Sequence, residues 1–187
     1  GPGEGEILVK ITAAGLCHSD LSVVNNNRPR PLPMLLGHES AGIVEAVGPG
    51  VTTVGRGDRV VMTFLPRCGA CEACDTEGRL PCTPGSAANE RGDLLGGGRR
   101  LHADGESVAH HLGVSGFATH AVVDERSVVP VEADVPADVA AVLGCAVLTG
   151  GGAVTSILPG HGPVVPDAAA MVGYYRTHRR ERLAQVR

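Results

Sequence analysis

With 187 residues, 43% of them hydrophobic, and a formal net charge of −4, the chain is long enough for one globular domain and an appendage. No basic face precedes residue 176, which argues against a nucleic-acid partner, and no apolar run reaches the roughly 18 residues of a membrane-spanning helix. Cysteines at metal-ligand spacing, with no visible signal peptide, favour the cytoplasm.

Short strands joined by turns rich in glycine and proline dominate the first part of the chain. The residue pattern predicts three strands, over residues 6–13, 41–47 and 59–64. Turns or loops are predicted between them, at residues 16–20, 25–33, 48–50 and 55–58. This succession favours a small β-barrel or sandwich over a βαβ array, and no internal repeat is present.

The second part of the chain contains one long segment in which apolar residues show no regular spacing. A loop is predicted from residue 83 to about 112, long enough that it should pack on the barrel or shield a cleft. Two strands are expected within residues 117–131. A helix over residues 136–148 then carries Cys145 near its end and stops at the glycines 150–152. The predicted fold is mainly β with a few helices.

Four of the six cysteines, Cys68, Cys71, Cys74 and Cys82, form a C-x2-C-x2-C-x7-C lobe. Four thiolates at this spacing can surround one tetrahedral Zn²⁺ and leave no position open, so the site would be structural. An iron–sulfur cluster is the main alternative, but the ferredoxin pattern continues with x3-C-P instead of x7-C. A disulfide is disfavoured because cysteines three apart on a tight turn rarely pair.

The two other cysteines and one histidine form a second set of metal-type residues, Cys17, His38 and Cys145. Their wide separation in sequence carries no information, and each one is also compatible with a buried thiol or a hydrogen-bonded core histidine. The first two lie in the glycine-flanked segments GLCHSD and GHE, beside hydroxyl or carboxylate groups. Such neighbours can orient a metal ligand.

The chain resembles the zinc-dependent medium-chain alcohol dehydrogenases in the order of five segments: GLCHSD, GHESAGIVEAVGPGV, GDRVV, the four-cysteine lobe and GCAVLTGGGAV. The likeness covers about residues 1–155 and is to the GroES-like catalytic domain of that family. It implies a GroES-like β-barrel with a structural zinc lobe. In the parent family a small alcohol is oxidised to an aldehyde by hydride transfer from a zinc alkoxide to NAD(P), and an oligomer is compatible with this likeness.

The resemblance also implies a role for each residue of the second set. Cys17, His38 and Cys145 would bind the catalytic zinc, whose fourth position would take water or the alcohol. Ser19 would accept the proton of the alcohol and pass it on. Asp20 would orient the His38 ring by a hydrogen bond to its second nitrogen.

Five further positions carry implications from the same resemblance. Glu39 would lie behind the metal, and Phe64 would line the substrate pocket. Thr149 would contact the nicotinamide ring, and His18 would lie near the cofactor pyrophosphate. Ser22 occupies a position where many members have a histidine of the proton relay, so the outer part of that relay is in question.

The last 30 or so residues resemble a different family. A PGHGPV turn precedes a predicted helix over residues 167–186 with a YxxHRxxR pattern, as at the end of metallo-β-lactamase-fold, glyoxalase-II-like hydrolases. In those enzymes the histidine of the turn, here His161, is a metal ligand. Their H-x-H-x-D-H ligand run is absent here, so we expect His161 to complete no metal site.

The sequence therefore predicts two pieces, an incomplete GroES-like domain over residues 1–155 and a loop plus helix over 156–187. A natural fusion and an artificial join near residues 154–157 both produce this arrangement. No G-x-G-x-x-G follows a strand, so no Rossmann domain is expected. We expect the chain alone to bind one catalytic and one structural zinc, without NAD(P) affinity or turnover. The alternatives are a non-catalytic zinc-binding module and a hydrolase remnant.

Overall fold

The computed structural model describes residues 1–76 and 79–150. Contacts between residues divide the chain into two units, Gly1–Ala146 and Val147–Arg187. The predicted domain boundary after residue 155, the predicted helix over residues 167–186 and the turn with His161 all lie outside the described residues, so they remain predictions.

A five-stranded antiparallel sheet forms the main body of the first unit, and the predicted mainly β fold is confirmed. Its strands in spatial order are β7 (His120–Asp124), β1 (Glu6–Gly15), β3 (Glu39–Val47), β4 (Arg59–Met62) and β8 (Val128–Pro130). The β-branched and aliphatic residues of these segments favour extended backbone and pack well on a pleated surface. The predicted strands therefore agree with the structure to within two residues at each end.

The hydrophobic core lies on one face of this sheet. Ile7 of β1 and Val60 and Met62 of β4 are fully buried there. Each such side chain contributes roughly 1.5–3 kcal/mol by its burial. Val61 belongs to a second cluster on the opposite face, which packs against helix α3 (Ala137–Val142). Successive side chains of a strand point to opposite faces of the sheet, so the residue alternation that predicts the strands also predicts which face each side chain occupies.

The long loop predicted after the cysteine lobe is wrong, because this segment contains a helix and two strands. Helix α2 (Thr83–Arg91) ends at Gly92, whose positive φ of 71° is the left-handed conformation that closes many helices. Strands β5 (Leu101–Ala103) and β6 (Glu106–His110) form a hairpin, and β6 pairs in parallel with β2 (Met34–Leu35). Helix α2 has no large apolar residue, so no hydrophobic period marks it in the sequence.

One predicted turn is helical, and the helix predicted over residues 136–148 is present with a π-helical turn inside it. The turn expected at residues 16–20 is the start of helix α1 (His18–Val24). After α3 the chain continues in a π-helical turn (Leu143–Val147), a form that is frequent at functional sites. Short 3₁₀ turns complete the fold at Glu72–Thr76 and Glu125–Ser127. Among the residues described, no helix combines the length and the apolar composition that crossing a bilayer requires.

His110 of β6 provides a pH-dependent contribution to stability. Its side chain is 1% exposed, and its Nε2 accepts the backbone N–H of Arg100 at 3.1 Å, which requires a neutral ring. Burial lowers the pKa of His110 from 6.5 to about 4. Because the folded pKa lies below the unfolded one, the stabilisation is complete above pH 6.5 and is lost as the pH falls toward 4.

We expect His110→Gln to reduce the acid sensitivity of the fold, because glutamine offers a carbonyl oxygen to the same N–H and does not titrate. Between pH 7 and pH 4 the unchanged chain should lose about 2–3 kcal/mol more unfolding free energy than the variant. Urea unfolding at several pH values measures both curves. Parallel curves for the two proteins would show that His110 is not the titrating group.

Candidate metal centres

The four lobe cysteines form one compact cluster, with all four Sγ atoms within 4.8 Å of one another. The Sγ–Sγ distances are 3.5 Å for Cys71–Cys74 and 3.9 Å for both Cys68–Cys74 and Cys71–Cys82. A tetrahedral zinc with Zn–S bonds near 2.3 Å holds its thiolates about 3.8 Å apart. The cluster therefore fits a closed zinc site, and its cysteines form no disulfide.

Backbone N–H groups point at these sulfur atoms. The Sγ of Cys82 accepts from the N–H of Cys68 at 3.2 Å and from that of Gly85 at 3.4 Å. The backbone N–H of Thr83 is the main cause that lowers the pKa of Cys71 to about 6. Such donors stabilise the thiolate relative to the thiol, and the thiolate is the form that binds a metal.

Hydrogen bonds fix the lobe internally and hold the helix that follows it. Arg67 donates to the carbonyl oxygens of Leu80 at 3.0 Å and Ala73 at 2.7 Å, which fixes both sides of the loop. Helix α2 begins directly after the last cysteine, and its Asn89 side chain donates to the carbonyl oxygen of Phe64 at 2.9 Å. A metal ion in the lobe would therefore also restrain α2 and the backbone at Phe64.

Three segments that are distant in sequence meet at a second cluster. Cys17 immediately before α1, His38 and Glu39 at the start of β3, and Cys145 in the π-helical turn have ligand atoms within 4.8 Å of one another. His38 is 1% exposed and Cys145 is 9% exposed. Two thiols, an imidazole and a carboxylate are a donor set that zinc binds.

Asp20 lies beside this cluster and is only 4% exposed. Its carboxylate contacts three N–H groups of the segments that form the cluster. Its Oδ2 accepts the backbone N–H of Cys17 at 3.1 Å, and its Oδ1 accepts that of Gly37 at 3.2 Å. The same Oδ1 lies 3.1 Å from Nδ1 of His38. This geometry assigns the proton to Nδ1, so Nε2 of His38 is left with its lone pair to bind a metal.

Without a cation, the second cluster disfavours negative charge on its thiols. Burial, with smaller contributions from Glu39 and Cys17, raises the pKa of Cys145 to about 12. Glu39 is 3% exposed, and within the described part of the chain it forms no ion pair with a basic side chain. A divalent cation provides the counter-charge that such buried acids require, so these residues fit a bound zinc.

His111 belongs to this network, although the sequence assigned it no role. Its Nδ1 lies 3.1 Å from Oδ1 of Asp20, in poor alignment for a hydrogen bond, and its ring meets the His38 ring edge-on with centroids 5.4 Å apart. Burial is the main cause that lowers the pKa of His111 to about 4. No local motif reveals this neighbour, because Asp20 and His111 are 91 residues apart in sequence and meet only in the folded chain.

Asp20→Asn is expected to weaken metal binding at the second cluster by about 10- to 100-fold, the usual effect of removing a partner that orients a histidine ligand. The amide loses the charge that accepts three N–H groups, so the His38 ring is held less firmly. A Co²⁺ titration followed by visible absorption measures the affinity. The exposed Asp134→Asn is the matched control, and equal affinities in both variants would contradict the role of Asp20.

A cavity of about 270 Å³ opens beside the second cluster. Its walls include Ser19, His38, Phe64 and Cys145. The Phe64 ring meets the His38 ring edge-on, with centroids 5.6 Å apart. The remaining lining residues are Arg28, Arg30, Leu65, Ser86, Asn89, Glu90 and Leu112. Seven of the eleven lining residues are polar or charged, so the cavity suits a small organic ligand that carries polar groups.

The two residues predicted to contact a cofactor are His18 and Thr149. His18 is exposed on α1, where its Nδ1 lies 3.3 Å from the hydroxyl oxygen of Ser22. The Ser22 hydroxyl also donates to the backbone carbonyl of His18 at 3.0 Å. Thr149 lies in the first residues of the second unit. The predicted contacts of His18 and Thr149 with a dinucleotide remain predictions.

Comparison with known proteins gives a consistent result. The family model of the alcohol dehydrogenase GroES-like domain matches residues 3–133. The chain is 43% identical over 152 residues to the putative alcohol dehydrogenase D of Mycobacterium tuberculosis, which is 81% of this chain and 41% of that protein. The chain thus spans about two fifths of the length of the curated relatives that it matches.

Solved structures show the same likeness. An alcohol dehydrogenase zinc-binding domain protein from Burkholderia ambifaria is 40% identical with a TM-score of 0.74, and the match covers 82% of this chain and 42% of that one. The structure of CAD from Helicobacter pylori complexed with NADP(H) is 29% identical with a TM-score of 0.63, over 83% of this chain and 42% of that one.

Proposed function

Because the chain belongs to the family of alcohol dehydrogenases with a GroES-like domain, we propose that it forms the zinc- and substrate-binding part of such an enzyme. The convergence of Cys17, His38 and Cys145 beside a cavity carries this proposal. The chain spans 41% of a curated relative. Oxidation of a small alcohol with NAD(P) as the hydride acceptor is therefore proposed for the whole protein.

We assign one zinc ion to the lobe and one to the second cluster. In the second cluster, Cys17, His38 and Cys145 would hold the metal, and Glu39 would lie beside it. When bound there, zinc supplies a Lewis acid that lowers the pKa of an alcohol hydroxyl. The lobe offers four thiolates and no open position, so its metal would serve the fold alone.

The side chains around the cavity have separate tasks in this proposal. Ser19 lines the cavity together with His38 and Cys145, and its hydroxyl would accept the proton of a bound alcohol. Asp20 keeps the His38 ring in one orientation and one tautomer. Phe64 packs edge-on against His38 and narrows the space for the carbon chain of the substrate.

The path of the proton beyond Ser19 would differ from that of relatives with a histidine relay. Ser22, at the relay position, donates its hydroxyl to the backbone carbonyl of His18 at 3.0 Å. Both residues lie on the solvent-facing side of α1, where water can accept the proton directly. Contacts of His18 with the cofactor phosphates and of Thr149 with the nicotinamide are part of the proposal.

The proposed substrate site is tested by loading the chain with Co²⁺, which takes the same ligands as zinc and absorbs visible light according to its coordination. We expect alcohols such as benzyl alcohol to change the spectrum saturably, because one coordination position of the second cluster is open. Cys145→Ser is the matched control, because it leaves only the closed lobe site.

A spectrum that does not respond to alcohols would contradict the proposed function. So would an equal response in Cys145→Ser, because the signal would then not come from the second cluster. Two bound metal ions without any response to alcohols would support the other interpretation of the sequence, a non-catalytic zinc-binding module.

A further inference from the structure

Two arginines line the cavity beside the second cluster, Arg28 and Arg30, both on the segment between α1 and β2. Arg28 is exposed, whereas Arg30 is half-buried. The Nε atom of Arg30 is fully buried and has no hydrogen-bond partner among the described residues. Within the same residues, no carboxylate lies within 4.0 Å of either guanidinium group.

Arg30 is unlike the other half-buried arginines of the described part of the chain. Arg67 donates to two backbone carbonyl oxygens of the lobe. Arg99 lies 3.3 Å from the carboxylate of Asp93 and also donates to a backbone carbonyl. A buried charged donor without a partner is costly, so guanidinium groups in folded proteins are normally matched. Within the described residues Arg30 thus lacks the kind of partner that Arg67 and Arg99 have, and an anionic ligand would supply one.

Arg30 lies beside the second cluster, because it lines the same cavity as Ser19, His38 and Cys145. A single small molecule can therefore have its hydroxyl at the metal cluster and a second group at Arg30.

The net charge of the residues that line the cavity favours a negative charge on that second group. Two arginines against one carboxylate, that of Glu90, leave a net charge of +1 outside the metal cluster. Guanidinium groups bind carboxylates and phosphates through paired N–H donors, and these charge-assisted bonds are stronger than neutral ones. The cavity of about 270 Å³ has room for a short carbon chain between the two groups.

We propose that Arg30, supported by Arg28, binds a carboxylate or phosphate group of the substrate, so that the preferred substrates are small alcohols that carry an anionic group. This inference rests on the proposed function, because it places the hydroxyl of the same molecule at the second cluster. It adds the chemical class of the substrate, which the family alone does not define.

The test compares matched probes on the Co²⁺-loaded chain. The anionic probes are ω-hydroxy carboxylates from 3-hydroxypropanoate to 6-hydroxyhexanoate, together with the monophosphate of propane-1,3-diol. The neutral probes are α,ω-diols with the same numbers of carbon atoms. We expect the best anionic probe to bind at least about tenfold more tightly than the diol with the same number of carbon atoms. This ratio of affinities should fall as the salt concentration is raised.

Substitutions identify the residue that carries this preference. Arg30→Gln should lower the affinity for the anionic probe by about tenfold and leave the diol unchanged, since only a charge-assisted contact is removed. Arg28→Gln should have a smaller effect, because this exposed side chain is better screened by solvent. Arg56→Gln, on an exposed turn, is the control and should change neither affinity.

Equal affinities for anionic and neutral probes, binding of neither, or an unchanged preference in Arg30→Gln would overturn the anionic subsite. Binding of ADP-ribose that depends on Arg30, without such dependence for the hydroxy acids, would assign the arginine to cofactor phosphates and would overturn it as well. The proposed function is tested separately, because failure of the second cluster to bind Co²⁺ removes the metal site and not only the subsite.

Discussion

Cys71→Ser is expected to remove about one zinc ion per chain and to destabilise the fold strongly. The four lobe sulfurs are spaced as the corners of a zinc tetrahedron, and Cys71 has the lowered pKa of about 6 that suits a thiolate ligand. Structural zinc contributes roughly 10–16 kcal/mol of apparent binding free energy in small zinc domains. Losing one thiolate from a closed site should therefore cost several kcal/mol of unfolding free energy.

Elemental analysis of zinc and urea unfolding measure the two effects of Cys71→Ser. Ala70→Ser introduces the same hydroxyl one residue earlier in the loop and keeps all four thiolates, so it should match the unchanged chain. If Cys71→Ser retains its zinc and its midpoint of unfolding, the lobe does not hold a structural metal. A loss of zinc with unchanged stability would show that the lobe metal does not support the fold.

Gly144→Ala is the second change with a large expected effect, about 3 kcal/mol of destabilisation. A Cβ atom at Gly144 would overlap the carbonyl oxygen of Met62, on the fully buried end of β4. Either the strand or the π-helical turn must shift, and the next residue in that turn is Cys145. We therefore expect weaker Co²⁺ binding at the second cluster as well as lower stability.

Gly55→Ala is the matched control for this substitution. The nearest atom to a Cβ at Gly55 is Oδ2 of Asp58 at 3.9 Å, an ordinary van der Waals distance. Its effect on unfolding free energy should stay within about 0.5 kcal/mol. Equal unfolding curves for Gly144→Ala and Gly55→Ala would contradict the close packing of the π-helical turn on β4.

The strands could be predicted because their signal is local. Alternating apolar residues such as Val60 and Met62 define the buried face of β4, and the intervening Val61 faces α3. Helix α2 could not be predicted in this way, because its residues are small or polar and carry no period of 3.6. In the structure it starts directly after Cys82 of the lobe, and its Asn89 side chain donates to the backbone carbonyl oxygen of Phe64.

The two clusters of metal-ligating residues also differ in whether their signal is local in the sequence. The lobe cysteines are close in sequence, so their spacing alone predicts a metal site. The proximity of Cys17, His38 and Cys145 depends on the packing of three elements, and only the resemblance to a known family indicated it. His111 and Arg30 were not foreseen, because a buried histidine and a loop arginine acquire their neighbours only in the folded chain.

The most direct test of the central claim, one chain with two distinct zinc sites, is to count bound zinc ions by native mass spectrometry. We predict two ions in the unchanged chain, one in Cys71→Ser, one in Cys145→Ser and none in the double variant. The remaining ion of Cys145→Ser should be the tightly held lobe zinc. A single zinc in the unchanged chain, or an unchanged count in Cys145→Ser, would contradict the claim.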